Sequence, residues 1–502
     1  MFVRTSIILP TKRAIFITWG KRVSLSDPAD ATEIRNFPRK IGCSPGKKRK
    51  FQSEMIKTKR GLDLPIDGAP RQEVSEGPEI SRIGIVGYDF PGVKPSMHVS
   101  VGERVVPGQP LFSDKKIPDL KICSPLSGKI SAINRGEKRV LESVEITIDS
   151  GRFGPLFDPI ERSKILDLGR ERVVNQLRES GQWLAFKGRP YGRSVPPQGK
   201  APEAIFVTSA DTRPHCPRPS IVINQRPEEY LAGIDVISVL TEGAVFVCSN
   251  QEDSIPVSRN VKVINESFSG PHPAGNAGTH IHFLHPVHLN RSVWQIGYQD
   301  VIAIGSFFLS GCIDPYRIVS LAGPRVSDPL LYRTLQGASI SELTGGKILG
   351  TENRVISGSV IDGRRAAGPT AFLGRFHNQV SVIREGLERD LLEFVSPGAN
   401  KFSLTNLFLG SFRKMNFDMS TSTEGSPRSI YPLGTYERTM PLDILATPLL
   451  KALVVDDLEA AIDLGALELE EEDIALCTFA CPGKYEYGPY LRQMLNRIQE
   501  ES

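Results

Sequence analysis

Short apolar runs punctuated by Gly and Pro fill the chain from Met55 to about Ile148: Ile83–Val86, Val99–Val106, Ile122, Lys129–Ile133 and Val144–Ile148. Helical periodicity is nearly absent there, which predicts a small all-β domain. The period changes over Glu161–Ser180, where Ile165, Leu168, Val173, Val174 and Leu177 form a helical stripe stopped by Gly181. Beyond it Ala204–Thr208, Ala244–Ser249 and Val261–Ile264 read as short strands, and Pro227-Glu228-Glu229-Tyr230-Leu231 opens a helix between the first two. That alternation predicts a parallel sheet. Arg317–Gly363 returns to strands and turns around one helix near Ser339–Leu343. From Glu388 helical patterns dominate, with Leu442–Leu453, Leu458–Leu464 and Tyr490–Ile498 as helices.

Composition narrows the class. The chain has 502 residues, 40% hydrophobic and 24% charged, which fits a globular protein of several domains. Its longest uncharged apolar run, Val301–Ile313, has 13 residues, against the ~20 that a bilayer-spanning helix needs. Charge is uneven: residues 1–54 carry 12 Lys and Arg against 4 Asp and Glu, a balance of +8, and the rest carries −4. A mildly acidic body removes the main reason to expect nucleic acid as a partner. Seven scattered cysteines read as reduced thiols. Residues 1–54 hold no apolar stretch long enough for a secretory signal. They read as a disordered or non-native extension, with Met55 starting the folded body.

Candidate chemistry is sparse. Val101-Gly102-Glu103-Arg104-Val105-Val106-Pro107-Gly108, followed by Ser124-Pro125-Leu126-Ser127-Gly128, resembles the hammerhead of biotinyl and lipoyl domains. Asp114-Lys115-Lys116 stands where a carrier would present its modifiable lysine, but the spacing to Pro125 is long and no Met-Lys-Met occurs. An unmodified barrel-sandwich is the preferred reading. Five of the eight histidines fall between His272 and His288. No Cys or carboxylate lies among them, so a polar cluster or donors to a neutral ligand is preferred to zinc. Gly270–Thr279 lacks the Lys of a Walker loop and the spacing of a dinucleotide fingerprint. Cys477-Thr478-Phe479-Ala480-Cys481-Pro482 matches the end of a ferredoxin run, yet Glu471 and Ile474 occupy the earlier ligand positions. The acidic run Glu468–Asp473 reads as a solvated helix start. Trp183, Phe186 and Tyr191 interleave with Lys187 and Arg189, offering aromatic faces and donors suited to a quinone ring, with interdomain packing as the alternative.

Several long motifs resemble one family across residues 55–502: Met55–Ile66, Gly270–Pro286, Trp294–Asp300, Gly434–Pro441 and Cys477–Pro489. The body is similar to the A subunit of the bacterial Na+-translocating NADH:quinone reductase. That resemblance implies a peripheral subunit on the cytoplasmic side of the inner membrane, in a complex passing electrons from NADH to ubiquinone while exporting Na+. It implies a fold similar to the flavin subunit of respiratory complex I without its cofactors. NADH, FMN/FAD and Fe–S would then sit on partner subunits, ubiquinone would be the substrate, and no metal, covalent cofactor or catalytic residue is expected here.

The expected fold class is multidomain α/β: an extension over 1–54, a barrel-sandwich (biotinyl/lipoyl-like) β domain over 55–155, a Rossmann-like α/β domain over 156–312, a β-grasp (SLBB-like) module over 313–385 and a C-terminal helical domain over 386–502. Candidate quinone contacts are Trp183, Phe186, Arg189 and Tyr191, with His280 and His282 added because a strand there would aim both rings to one side. A purely architectural role within the complex and a lipoyl- or biotin-type carrier function are the rival readings. Truncation to Met55 is expected to leave assembly and membrane activity unchanged, measured as NADH-driven quinone reduction in membranes; loss of either contradicts the reading of 1–54.

Overall fold

Residues 55–149, 154–386, 398, 401–405, 410, 415–423 and 425–501 are described by the computed structural model. The 1–54 extension lies outside them. In the first β-rich stretch Gly128–Arg135 opens with alternating buried and exposed residues, while Pro110–Asp114 is buried on both faces. A four-stranded sheet (Arg82–Val86, Leu141–Ile148, Gly128–Arg135, Arg104–Val105) faces a three-stranded one (Pro95–Met97, Pro110–Asp114, Lys121–Cys123). Ile83, Ile130, Val144 and Ile146 meet Leu111, Phe112 and Ile122 in the core between them. Gly102 and Gly108 adopt φ of +91° and +82° at the hammerhead turns, where a side chain would be strained.

The α/β region builds a seven-stranded sheet ordered Ile56–Lys57, Val263–Ser269, Ala244–Asn250, Ala204–Ser209, Val293–Gly297, Lys187–Arg189, Arg193–Ser194. The first five are parallel, and Lys187–Arg189 runs antiparallel to the neighbours on both its sides. Ile205, Phe206 and Val207 are all buried, the continuous apolar run expected of a strand covered on both faces. The helices Pro227–Val239 and Tyr298–Ser310 pack against each other on the side of Ile205 and Val207, while Ala277–Leu284 covers Phe206. A six-stranded sheet follows, built from Tyr316–Ala322, Leu330–Leu335, Asn353–Ser357, Arg364–Arg365 and Gln379–Arg384 with Arg71–Glu76 at one edge. Thus the stretch before Ile80 supplies edge strands to two other sheets before entering the barrel-sandwich.

The helices Thr435–Thr439, Ala446–Val454, Leu458–Asp463, Glu471–Phe479 and Tyr487–Glu501 close around a second core of Tyr436, Leu449, Leu453, Ile474, Leu491 and Ile498. No helix among the described residues is long and apolar enough to cross a membrane. The predicted helix over Glu161–Ser180 is two, Arg162–Ile165 and Arg170–Glu179, separated at Gly169, whose extended backbone caps the second.

Two expectations are corrected. The His280–His282 segment is a helix, Ala277–Leu284, because Ala277, Ile281 and Leu284 recur at helical spacing and pack on Phe206 and Phe268. Residues two apart on a helix diverge by about 200°, so the two rings do not share a side. His280 is buried against Phe268, its Nε2 bonded to the Ala274 carbonyl at 3.1 Å. His282 reaches the other way. The acidic run is corrected as well: Glu470 and Asp473 are buried, not solvated.

Burial holds the His280 imidazole neutral, its pKa down to about 3 despite the carbonyl, and His272 likewise to about 3, with Arg213 adding to the effect. A histidine depressed on folding stabilises fully above its unfolded pKa of about 6.5 and loses that contribution as the pH falls. Between pH 7 and 5 each should cost about 2 kcal/mol of unfolding free energy. Urea titrations at both pH values should show His280→Gln losing about 2 kcal/mol less than the unsubstituted chain; equal losses would contradict the assignment.

Candidate functional site

The segment after Gly181 makes one 3-10 turn, Gln182–Ala185, and then the next-to-last strand of the sheet, Lys187–Arg189. Gly181 permits this by adopting φ +74° against Cys123, whose Sγ and Cβ leave no room for a side chain. Trp183 and Phe186 point into the core, where they meet Trp294 at centroid distances of 5.4 and 5.7 Å and each other at 5.4 Å. The Trp183 Nε1–H donates to the Val195 carbonyl at 2.7 Å. Both rings are therefore spent on packing: Trp183 is 2% exposed and Phe186 0%. The chain's alternation explains the outcome, because a turn leading into a strand must bury its bulkiest members against the next strand.

Arg189 is fully buried and carries a different load. Its Nε lies 2.8 Å from Glu470 Oε1 and its Nη1 2.9 Å from Asp473 Oδ2, while Nη1 also donates to the Glu468 carbonyl at 3.0 Å. Gln295 completes the ring of contacts, accepting from Arg189 Nε at 3.2 Å and donating to Glu470 at 3.2 Å. Burial opposes the guanidinium's charge, but Glu470, Asp473 and Glu472 more than offset it and hold it charged above the usual range. Asp473 is pushed up by burial, which Arg189 opposes. Glu470 and Asp473 also form a capping box at the start of the Glu471–Phe479 helix. The sequence signal missed here is the capping box itself, since its two acids also clamp an arginine.

Tyr191 packs on the C-terminal core, and its carbonyl accepts from Arg492 Nη1 at 2.6 Å. His282 Nε2 accepts from the Asp443 amide at 3.0 Å, which leaves Nδ1 to donate to the Glu468 carboxylate at 2.7 Å. Of the six sequence candidates, Trp183 and Phe186 come together, and Arg189 and His282 meet the same residue, Glu468. None of these contacts forms a slot for a ring, and His280 is sealed beneath the sheet. The ferredoxin-like end is packed too: Cys481 Sγ lies 3.1 Å from the Tyr436 hydroxyl and 3.3 Å from that of Tyr487. Ile474 is core and Glu471 clasps Arg492. Among the described residues no group of three His, Cys, Asp or Glu is placed to hold a metal.

The loop nonetheless sits between two cavities, through side chains sequence reasoning passed over. Gln182 and Leu184 line the first, a partly open void of about 50 Å³ between the barrel-sandwich, their own turn and the module that follows the α/β sheet. Ile85, Val86, Phe90, Ile122 and Leu373 make it largely apolar, and Ser124 and Arg375 add polar edges. Gln182 is 8% exposed, and neither its Oε1 nor its Nε2 has a hydrogen-bond partner. Cys123 borders the same void, its thiol pushed up to about 12 by burial and so held protonated. No sequence signal marks Gln182; its amide matters only because the fold leaves it alone. Ala185 and Lys187 line the second cavity, above the sheet. There Asp300 receives both Arg317 and, at 2.8 Å, Arg375, and the two guanidiniums hold its carboxyl below the usual range against the effect of burial.

Two cavities thus flank one turn in a protein whose barrel-sandwich is joined to an α/β sheet. Family models match three stretches: an NqrA N-terminal barrel-sandwich hybrid domain over 56–149, an NqrA second alpha/beta domain over 168–313 and an NQRA C-terminal domain over 318–368. The A subunit of the Na(+)-translocating NADH-quinone reductase of Saccharophagus degradans is 52% identical over 448 residues, 89% of this chain and 100% of that protein. Its counterpart from Vibrio parahaemolyticus is 50% identical over the same shares. An NAD+-reducing [NiFe]-hydrogenase structure is 12% identical over 71% of this chain and 68% of its own, at a TM-score of 0.35. The chain belongs to the NqrA family, the A subunits of the Na+-translocating NADH-quinone reductase.

Because Trp183 fills the core, Trp183→Ala should lower unfolding free energy by about 3–5 kcal/mol in urea. An unchanged midpoint would show that its ring is not packed.

Proposed function

We propose that this subunit contributes to ubiquinone binding and reduction within the respiratory complex, and that the carbonyl edge of the headgroup enters the cavity beside Gln182. The other subunits of the complex are its partners. NADH, flavins and iron–sulfur chemistry belong to them in this reading, and the chain attaches peripherally on the cytoplasmic side of the bacterial inner membrane. The same reading takes the α/β part as Rossmann-like, the following module as a β-grasp and residues 386–502 as a helical domain, similar to the complex I flavin subunit without its cofactors.

The observation that carries the proposal is the unpaired Gln182 amide. A buried polar group without a partner is costly, and Gln182, which lines this mainly apolar void, has neither its donor nor its acceptor paired. A quinone needs a donor to its carbonyl oxygen. The quinol formed by adding two electrons and two protons carries a hydroxyl that needs an acceptor. One amide serves both states: Nε2–H donates to the quinone and Oε1 accepts from the quinol. The void of about 50 Å³ holds the edge of a ring and not its whole, which leaves the isoprenoid tail outside.

The burial of Trp183, Phe186 and Arg189 favours a second reading, in which the subunit is architectural and quinone is handled by its partners. One substitution separates them. Gln182→Leu keeps the volume and removes both hydrogen-bonding atoms, so the assembled complex should bind ubiquinone about 5- to 150-fold more weakly with an undiminished melting temperature. Unchanged binding would favour the architectural reading.

A further inference from the structure

Above the sheet, the carboxyl ends of Ala204–Ser209 and Val293–Gly297 lie side by side where the chain reverses its progress. From Ala204–Ser209 it moves outward to Ala244–Asn250 and Val263–Ser269, then returns to the opposite side for Val293–Gly297. Connections that diverge in this way leave a crevice over the strand ends, the usual ligand position in open parallel sheets. Here the crevice is a cleft of about 100 Å³, floored by Thr208 and Gly297 and covered by Arg375 and Phe376 from the following module.

Three further observations concern what the cleft would hold. Tyr298 lines it, is buried at 2% exposure, and its hydroxyl makes no hydrogen bond of ordinary geometry. The neighbouring Gln299 amide is spent on the Ile318 backbone, donating to its carbonyl at 2.7 Å and accepting from its N–H at 2.9 Å. The charge is arranged in two zones. On one side Arg317 and Arg375 share the single carboxylate of Asp300, and the Lys187 ammonium stands 4.2 Å from the centre of the Phe376 ring. On the other, Asp211 and Glu472 share the guanidinium of Arg213 with a third carboxylate, Asp362, at 3.0 Å. Finally, the first turn of the 13-residue helix Tyr298–Ser310 lines the cleft with no side chain capping its amides. Such a helix start favours an anion.

We propose that this switch-point cleft is a second ligand site, separate from the quinone edge site, and that it takes the phosphate and ribose of a nucleoside monophosphate, whose base stays outside a cleft of this size. The phosphate lies on the cationic side, against Lys187 and Arg375 at the helix start. The ribose hydroxyls donate to the carboxylates of Asp211 and Glu472, and the Tyr298 hydroxyl fills its vacant bond on the ligand between them. A dinucleotide is disfavoured by the local sequence. The turn after the first strand, Ala210-Asp211-Thr212-Arg213-Pro214, has no glycine to let a pyrophosphate approach the backbone. Side chains do the work of the missing loop, which is why no nucleotide fingerprint is legible.

Calorimetric titration of the full chain with AMP tests the assignment, with adenosine and inorganic phosphate as separate titrants. AMP should bind saturably at one site, and adenosine and phosphate each at least about tenfold more weakly. Tyr298→Phe removes only an unpaired hydroxyl, so its melting temperature should hold or rise while AMP affinity falls about tenfold. Lys187→Gln should weaken AMP and leave adenosine unaffected. No saturable AMP binding overturns the proposal. So does phosphate binding as tightly as AMP, which would leave an anion site without a nucleoside, or a Tyr298→Phe chain that keeps its fold and binds AMP unchanged.

Discussion

A guanidinium on the next-to-last strand of the α/β sheet is buried among oxygens of the C-terminal segment, and the arrangement of the second core follows from it. Arg189 must be paired, because an unpaired charge in that setting would cost several kcal/mol. Its partners come from one short stretch, Glu468–Asp473, which is also the entry to the Glu471–Phe479 helix. Position and direction of that helix are thereby fixed against the sheet edge. His282 then clasps the same stretch from the Ala277–Leu284 helix, and Arg492 secures Glu471 and the Tyr191 carbonyl from the last helix. Attraction in a poorly solvated site is strong, but its net value is set by desolvation. The cluster therefore works through specificity of placement as much as through stability.

That constraint also decides what the 182–191 segment can do. With Trp183 and Phe186 committed to Trp294 and Arg189 committed to acids, only the intervening side chains are free to meet a ligand. Gln182 and Leu184 turn toward the barrel-sandwich, and Ala185 and Lys187 toward the strand ends. A single turn thus borders two cavities, and Arg375 of the neighbouring module borders both. Ligands in either place would report on the same strand.

Legibility in the sequence divides along physical lines. Gly and Pro punctuation exposed the barrel-sandwich, since glycines at positive φ and prolines at strand ends act locally. The motifs that carried the family resemblance were long and contiguous. The Ala277–Leu284 helix was hidden because it is short, bounded by Pro273 and Pro286, and carries a His-x-His that imitates strand alternation. The burial of Glu470 and Asp473 was out of reach for another reason: Arg189 and Asp473 are 284 positions apart. The aromatic loop was visible as composition, but which residues face a void depends on the register of the Lys187–Arg189 strand against Val293–Gly297. No periodicity marks an amide such as Gln182, left unpaired by its surroundings.

Arg189 and the acids facing it should be energetically coupled across the sheet edge, since each charge is tolerated there only in the presence of the other. A double-mutant cycle in urea with Arg189→Met, Asp473→Asn and their combination measures this coupling. Each single substitution should destabilise, and the pair should fall short of their sum by at least about 2 kcal/mol. Additive losses would contradict the coupling, because they would mean that the buried guanidinium and carboxylate stabilise the fold independently of one another.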